Sequence, residues 1–254
     1  ATAAAAATPQ AQGLLQALTS QLNVTPQQAV GGTGALLGLA NEGKIDRSVD
    51  LARDVGAGTV VLHPPFRWQR RYAENFVDLV SELEDDSHVA IAVENMFPWA
   101  ARGRQVQAYL PHWDPVPQPY DHVTIDLSHT ATARSDAMQM VLDLGARLSH
   151  IHLADGMLTT LKDDHLVPGR GTQPCAEVLQ HVATSGFAGA VVLEVGTRKR
   201  PKEREEDLRE SLDFARRHLG QLAADGRGPP RDGRLVVGDQ RGRVGFGKGK
   251  AADL

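Results

Sequence analysis

The chain has 254 residues, 41% of them hydrophobic and 23% charged, with a formal net charge of −4. That length supports one large domain with a real core or two small ones, and the composition is that of a soluble globular protein. No run approaches the roughly eighteen consecutive apolar residues of a membrane span. The single cysteine, Cys175, excludes an internal disulfide and fits a reducing, cytoplasmic setting. Residues 221–254 hold seven Lys/Arg and four Asp/Glu, which leaves the rest of the chain mildly acidic. An acidic body without a basic, aromatic-interleaved groove argues against nucleic acid as a partner.

The chain starts ATAAAAATPQ, with neither the basic region nor the bulky apolar stretch of a signal peptide. Its first residue is Ala rather than Met, so a processed chain or a fragment is expected. Residues 11–43 read as short helices. Leu15, Leu18 and Leu22 share a face, Thr25-Pro26 caps the next helix, Gly31-Gly32 stops it, and Thr33 caps a third. The GGTG at 31–34 lacks the Lys-Ser/Thr of a phosphate-binding loop and follows no strand, so it reads as a helix junction. This segment resembles a small helical domain of uncharacterised bacterial proteins, a likeness that implies no function.

From Lys44 helix and strand alternate, the signature of a parallel α/β sheet. Ile45, Val49, Ala52 and Val55 stripe a helix that stops at Gly56, and Thr59–Leu62 is a strand ending at His63-Pro64-Pro65. Tyr72, Phe76, Leu79, Val80 and Leu83 mark a helix, and His88–Val93 a strand ending at Glu94-Asn95. A short helix is expected over Arg104–Leu110, followed by a Pro- and aromatic-rich loop. Val123–Ile125 is a strand ending at Asp126, Asp136–Leu144 a helix, and Leu148–Leu153 a strand in which His150 and His152 alternate with Ile151 and Leu153. A polar loop then carries Asp163, Asp164 and His165. Thr172 is the expected cap of a helix with Pro174 in its first turn, where Cys175 reads as a packed thiol. Ala190–Leu193 is a strand ending at Glu194; Leu208, Leu212, Ala215 and Leu219 stripe a closing helix, and the Gly/Arg-rich tail reads as disordered. The expected division is 1–43 helical, 44–219 the α/β domain and 220–254 the tail.

Five strands thus end in His63, Glu94, Asp126, His152 and Glu194, at intervals of 31, 32, 26 and 42 residues. The first three intervals are each one βα unit long. Parallel strands in such a series bring their C-terminal ends to one face, where barrel active sites form. Carboxylate and imidazole are the side chains that bind divalent metals.

The runs HPP, VENM, IDLSH, HIHLADG, DDHLVPGRG and VVLEV resemble the xylose isomerase-like TIM-barrel superfamily over residues 44–219. The resemblance implies an α/β, (β/α)8 TIM-barrel-like fold. It includes sugar and sugar-phosphate isomerases and epimerases, and the endonuclease IV branch of DNA repair. In the first branch one divalent metal (Mn²⁺, Mg²⁺, Co²⁺ or Zn²⁺) is held at positions matching Glu94, Asp126, His152 and Glu194. Glu94 and Glu194 are then base and acid in a reaction through an enediolate, and His129 and Arg170 meet the sugar substrate. In the endonuclease branch, up to three Zn²⁺ use further ligands matching His63, His129, Asp163 and His165. One feature departs from the pattern: the 43 or so residues before the helix that leads into the His63 strand are too few for the three βα units that precede His63 in the family. The barrel is therefore expected to be incomplete, with five late units. A second copy or partner chain completes it, the N-terminal helices plug it, or it is a non-catalytic truncated barrel.

Overall fold

The computed structural model describes residues 33–101, 104–160, 162–197, 202–220 and 235–237. The expected helices before Thr33 lie outside these residues. From Thr33 a single helix, α1, runs to Val55. Ile45, Val49 and Ala52 are its buried stripe, while Val55 is 50% exposed and does not belong to it. Gly56 at φ +69° ends the helix: its N–H reaches Arg53 O (3.2 Å) and that of Ala57 reaches Ala52 O (2.7 Å). That pair of bonds is the Schellman cap, which needs a left-handed residue where glycine stands.

The remaining elements are β1 (Thr59–Leu62), α2 (Arg70–Glu74), α3 (Phe76–Ser87), β2 (Ala90–Glu94), β3 (Trp99–Ala101), β4 (Arg104–Val106), β5 (Val123–Asp126), α4 (Leu127–Ala133), α5 (Ala137–Leu144), β6 (Leu148–Leu153), α6 (Cys175–Thr184), β7 (Ala190–Leu193), α7 (Arg204–Gly220) and β8 (Leu235–Val237). Six strands form one parallel sheet in the order β1-β2-β5-β6-β7-β8. Among the described residues β1 and β8 are its edges, and the sheet is open, a TIM-barrel-like half-barrel.

Four expectations are corrected. Residues 104–110 are not helical: β4 pairs antiparallel with β3, and Ala108 O and the Leu110 N–H bond to the backbone of Arg67 and Pro65. Extended pairing thus consumes the groups that a helix would need, and Pro111 disfavours helix at Leu110. His88 does not start a strand but caps α3 at φ 57°. Thr172 does not cap α6; its hydroxyl accepts the Leu158 N–H (3.0 Å) and donates to Gly156 O (3.1 Å). In the tail, Leu235–Val237 pairs with the edge of β7 as β8, and the rest of that expected segment after Gly220 lies outside the described residues.

The outer face of the sheet carries Ile91, Val93, Val123, Ile125, Ile151, Leu153, Val191 and Leu193, packed in one core with Phe76, Val80, Val141, Val178 and Leu179 from the helices. Each such side chain, fully buried, contributes about 1.5–3 kcal/mol relative to exposure. The alternate residues Ala92, Thr124, His150 and Val192 face inward. Register decides what arrives at the strand ends. Between β5 and β6, Val123 pairs with Leu148 but Thr124 with His150, so Ser149 is one extra residue, a bulge. It brings His150 and His152 into phase with Thr124 and Asp126. Among the described residues no helix is long and apolar enough to cross a membrane.

Candidate metal centre

Glu94 and Asp126 are the last residues of β2 and β5, 2% and 0% exposed. His152 lies opposite Asp126 in β6, and Glu194 directly follows β7. His152 Nδ1 sits 3.0 Å from Glu94 Oε1, 2.8 Å from Glu194 Oε2 and 3.7 Å from Asp126 Oδ2. One donor atom from each of these four residues lies within 4.8 Å of the others, close enough to share an ion.

A second group of the same kind is Asp126, His129 and His165. His165 Nε2 is 2.9 Å from Asp163 Oδ2, and His129 Nε2 is 3.4 Å from the same oxygen. His63 reaches Glu94 Oε2 at 3.0 Å from a largely exposed position. The eight strand-end and loop residues therefore converge on one face. Arg170 goes elsewhere: its guanidinium is paired with Asp207 (2.8 Å) and Glu210 on α7.

The donor set fits a cation on a structural ground. Among the described residues Asp126 Oδ2 is buried without a hydrogen bond, and Glu94 Oε2, also buried, faces only the His63 imidazole, 3.0 Å away. A buried carboxylate oxygen lacking a donor is costly unless a positive charge faces it. Asp126 Oδ1, by contrast, is occupied, accepting the His129 N–H (3.0 Å) as the cap of α4.

Without an ion the cluster balances itself through protons. Burial opposes ionisation of Glu94, but the charge and hydrogen bond of His152, with His63 and His129, hold its carboxyl well below the usual range. Burial likewise opposes Glu194, and His152 lowers it. Burial pushes Asp126 up, against the pull of His129 and His165. His129 is raised to about 10 although burial disfavours its charge, because Asp126, Asp163 and Glu94 surround it. His165 is raised to about 9 against burial, first by its hydrogen bond to Asp163. His150, one step below His152 on the inner face, is pushed down to about 4 by burial and by the His152 charge. Burial also pushes the Cys175 thiol up, away from nucleophilic use.

Three residues that build the site are not evident from sequence spacing. Asn95 accepts the Asp126 N–H (2.6 Å) and donates to Asp126 O (3.1 Å), while its carbonyl meets His129 Nδ1 (2.8 Å). Ser128 donates to Asp163 Oδ1 (2.8 Å) and accepts the His165 N–H (3.0 Å). Asp155 is fully buried and accepts four backbone N–H groups, those of Gly156, Gly169, Gly171 and Gln173, at 2.8–3.0 Å. It closes the base of the loop that presents Asp163 and His165. At the other end of the strands a cavity of about 540 Å³, lined by Thr59, Ala90, His122, Ser149, His181 and Gly189, holds none of these residues.

A parallel half-barrel with acidic and imidazole groups at its strand ends defines the class, and the comparisons define the family. The family described as xylose isomerase-like TIM barrel matches residues 43–218, and the chain belongs to it. A model for a family of unknown function (VcgC/VcgE) matches residues 1–46. An uncharacterized protein of Mycobacterium tuberculosis is 51% identical over 197 residues, covering 69% of this chain and 70% of that one. A fructoselysine 3-epimerase of Shigella flexneri is 24% identical over 162 residues, covering 60% of this chain and 58% of its own. Among solved structures, a D-tagatose 3-epimerase-like protein aligns with TM-score 0.49 and 20% identity, over 84% of this chain and 86% of its own.

Proposed function

We propose that the chain is a divalent-metal-dependent isomerase or epimerase of a small sugar or sugar phosphate. The observation that carries this reading is the meeting of Glu94, Asp126, His152 and Glu194 around one point at four strand ends. Membership of the family and the distant likeness to an epimerase support it. A cation held by these four residues supplies Lewis-acid polarisation of adjacent hydroxyl and carbonyl oxygens. Glu94 and Glu194 do the proton chemistry. Both are held ionised by His152, so either starts as base for a carbon-bound proton. In an isomerisation the carboxylate that takes the proton, leaving an enediolate, returns it to the neighbouring carbon; in an epimerisation the other carboxylate, having taken up a proton from solvent, delivers it to the opposite face. Glu194, 31% exposed, is the more accessible of the two. In this reading Asp126 and His152 would hold the cation, and His129 is assigned to a substrate oxygen.

The test is exchange of substrate carbon-bound hydrogen with deuterated solvent, over a panel of sugars and sugar phosphates. Glu194→Gln is expected to lower turnover roughly 10²–10⁴-fold with melting unchanged. Full activity in that variant removes the acid/base role.

The second group, Asp126, His129 and His165, favours one other reading, a metal-cluster phosphodiesterase on damaged DNA. Elemental analysis separates the two: one ion per chain supports the isomerase, three the nuclease. The mass in solution, measured on the same sample, reports whether a second chain completes the barrel.

A further inference from the structure

Four aromatic rings stand together where the segments after β1 and β2 meet. Phe66 stacks on Trp68 (centroids 4.4 Å, planes 8° apart) and on Tyr109 (4.9 Å), while Trp99 lies 5.5 Å from both Phe66 and Trp68. Tyr109 is buried, but Trp68 is 56% and Trp99 41% exposed. Two indoles backed by other rings and open in front form a rigid apolar platform, the kind of exposed patch that marks a binding surface.

The platform borders the carboxylate cluster. Phe66 comes three residues after His63, and Phe97, two residues before Trp99, packs on the His129 ring at 5.1 Å. Tyr109, in edge contact with Trp99 at 6.4 Å, feels the charges of Glu94 and Asp163. Around Trp68 the sequence places Arg67, Arg70 and Arg71, all exposed and, among the described residues, without an ion pair. The Arg67 guanidinium reaches across to Gln107 O (3.4 Å), beside the same rings. An acidic chain thus presents Arg67, without an ion pair among the described residues, beside two exposed indoles, with Arg70 and Arg71 in the next turn of chain. The run Phe66–Tyr72, FRWQRRY, interleaves basic and aromatic residues and so corrects the expectation of a chain without such a stretch.

We propose that this rim is a subsite for the non-reacting end of the substrate, and that this end is a planar ring carrying phosphate, making the substrate a nucleotide-linked sugar. The sugar end rests on the isomerase reading; the rim stands on its own geometry. A free sugar could cover an indole but leaves the arginines without an anion. A simple sugar phosphate supplies the anion but leaves the indoles bare. A nucleotide supplies both, through base stacking and guanidinium–phosphate contact. A single-stranded polynucleotide would need an extended basic track, whereas these rings form one compact patch.

The experiment follows tryptophan quenching and calorimetry on the full chain with UDP, against inorganic phosphate, glucose 6-phosphate and an oligothymidylate. UDP is expected to quench and to bind at least about tenfold tighter than either phosphate control. Trp68→Ala, at an exposed site, is expected to weaken UDP roughly five- to hundredfold with melting unchanged, and Arg67→Ala to weaken it as well. Glu194→Gln is expected to bind UDP as the parent does even with turnover gone, so failure of the rim and failure of the isomerase reading show separately. Equal affinity for phosphate and UDP, unaltered UDP binding in Trp68→Ala, or tighter hold on the oligothymidylate than on UDP would each overturn the proposal.

Discussion

Asp126 and His152 stand opposite each other in register on neighbouring parallel strands, with Oδ2 and Nδ1 3.7 Å apart. Asp126 does two jobs with its two oxygens, capping α4 with Oδ1 and leaving Oδ2 to the cluster. Asp126→Asn can keep the cap through its amide oxygen while losing the charge. The expected result is a fold that melts normally and binds a divalent cation roughly 10-fold to 100-fold more weakly, or worse. Asp126→Ala loses the cap as well and costs a further ~0.5–2 kcal/mol of stability. Calorimetric titration with Mn²⁺ or Zn²⁺ beside thermal melts reads both effects.

The pH dependence of the ion-free protein has a definite sign. His165 is raised from 6.5 to about 9, and His129 from 6.5 to about 10. A raised histidine stabilises the fold fully below its unfolded value and loses that contribution as pH climbs through the folded one. In chelator, the melting temperature is therefore expected to fall between pH 6.5 and about 10. A cation takes the place of those protons, so its affinity is expected to rise over the same window. A melting temperature in chelator that climbs from neutral pH to pH 10 would contradict the placement of these imidazoles beside Asp126 and Asp163.

How much of this was legible in the sequence varies with the range of the forces involved. The bounds of β6 and β7 follow directly from local pattern, because alternation or an apolar run is cut off by Gly145 and Ala154-Asp155-Gly156, or by Gly189 and Glu194. The strand-end residues were legible for the same reason. The β3–β4 hairpin was not, since Arg104–Val106 has no pattern of its own and takes its form from Trp99–Ala101 across from it. Three apolar residues in a Gly/Arg-rich tail likewise give β8 no local signature; the open edge of β7 supplies it. The pairing of Arg170 with Asp207 and Glu210 spans about forty residues and has no spacing rule, so its clasp on α7 could not be read from the sequence.

Asp155 offers a sharper test of loop positioning. A Cβ on Gly171 would stand 2.2 Å from Asp155 Oδ1 and 2.5 Å from Gly156 O, with backbone on one side and a fully committed carboxylate on the other. Gly171→Ala must therefore push the loop off Asp155. Asp155→Ala strands four backbone donors, each costing about 1–3 kcal/mol if it stays buried and unpaired. Both variants are expected to loosen Asp163 and His165, weakening the second donor group before the first. Cobalt spectra, titrated ion by ion, distinguish that order from a general loss of fold.

Removing the metal should itself be measurable as stability. A ligand that binds only the folded chain adds about 2.7 kcal/mol at a hundredfold excess over its dissociation constant. For a domain of this size that corresponds to roughly 5–10 °C of melting temperature. The gain is expected to vanish in chelator, to return on adding a divalent cation, and to be absent in a Glu94→Gln, His152→Gln double variant. That variant removes the two residues whose side chains touch at 3.0 Å at the centre of the group. Because the outer-face core of Ile91, Ile125, Ile151 and Leu193 does not involve these side chains, the double variant should still unfold cooperatively. A full metal-induced shift in the double variant would place the bound ion somewhere other than the ends of β2, β5, β6 and β7.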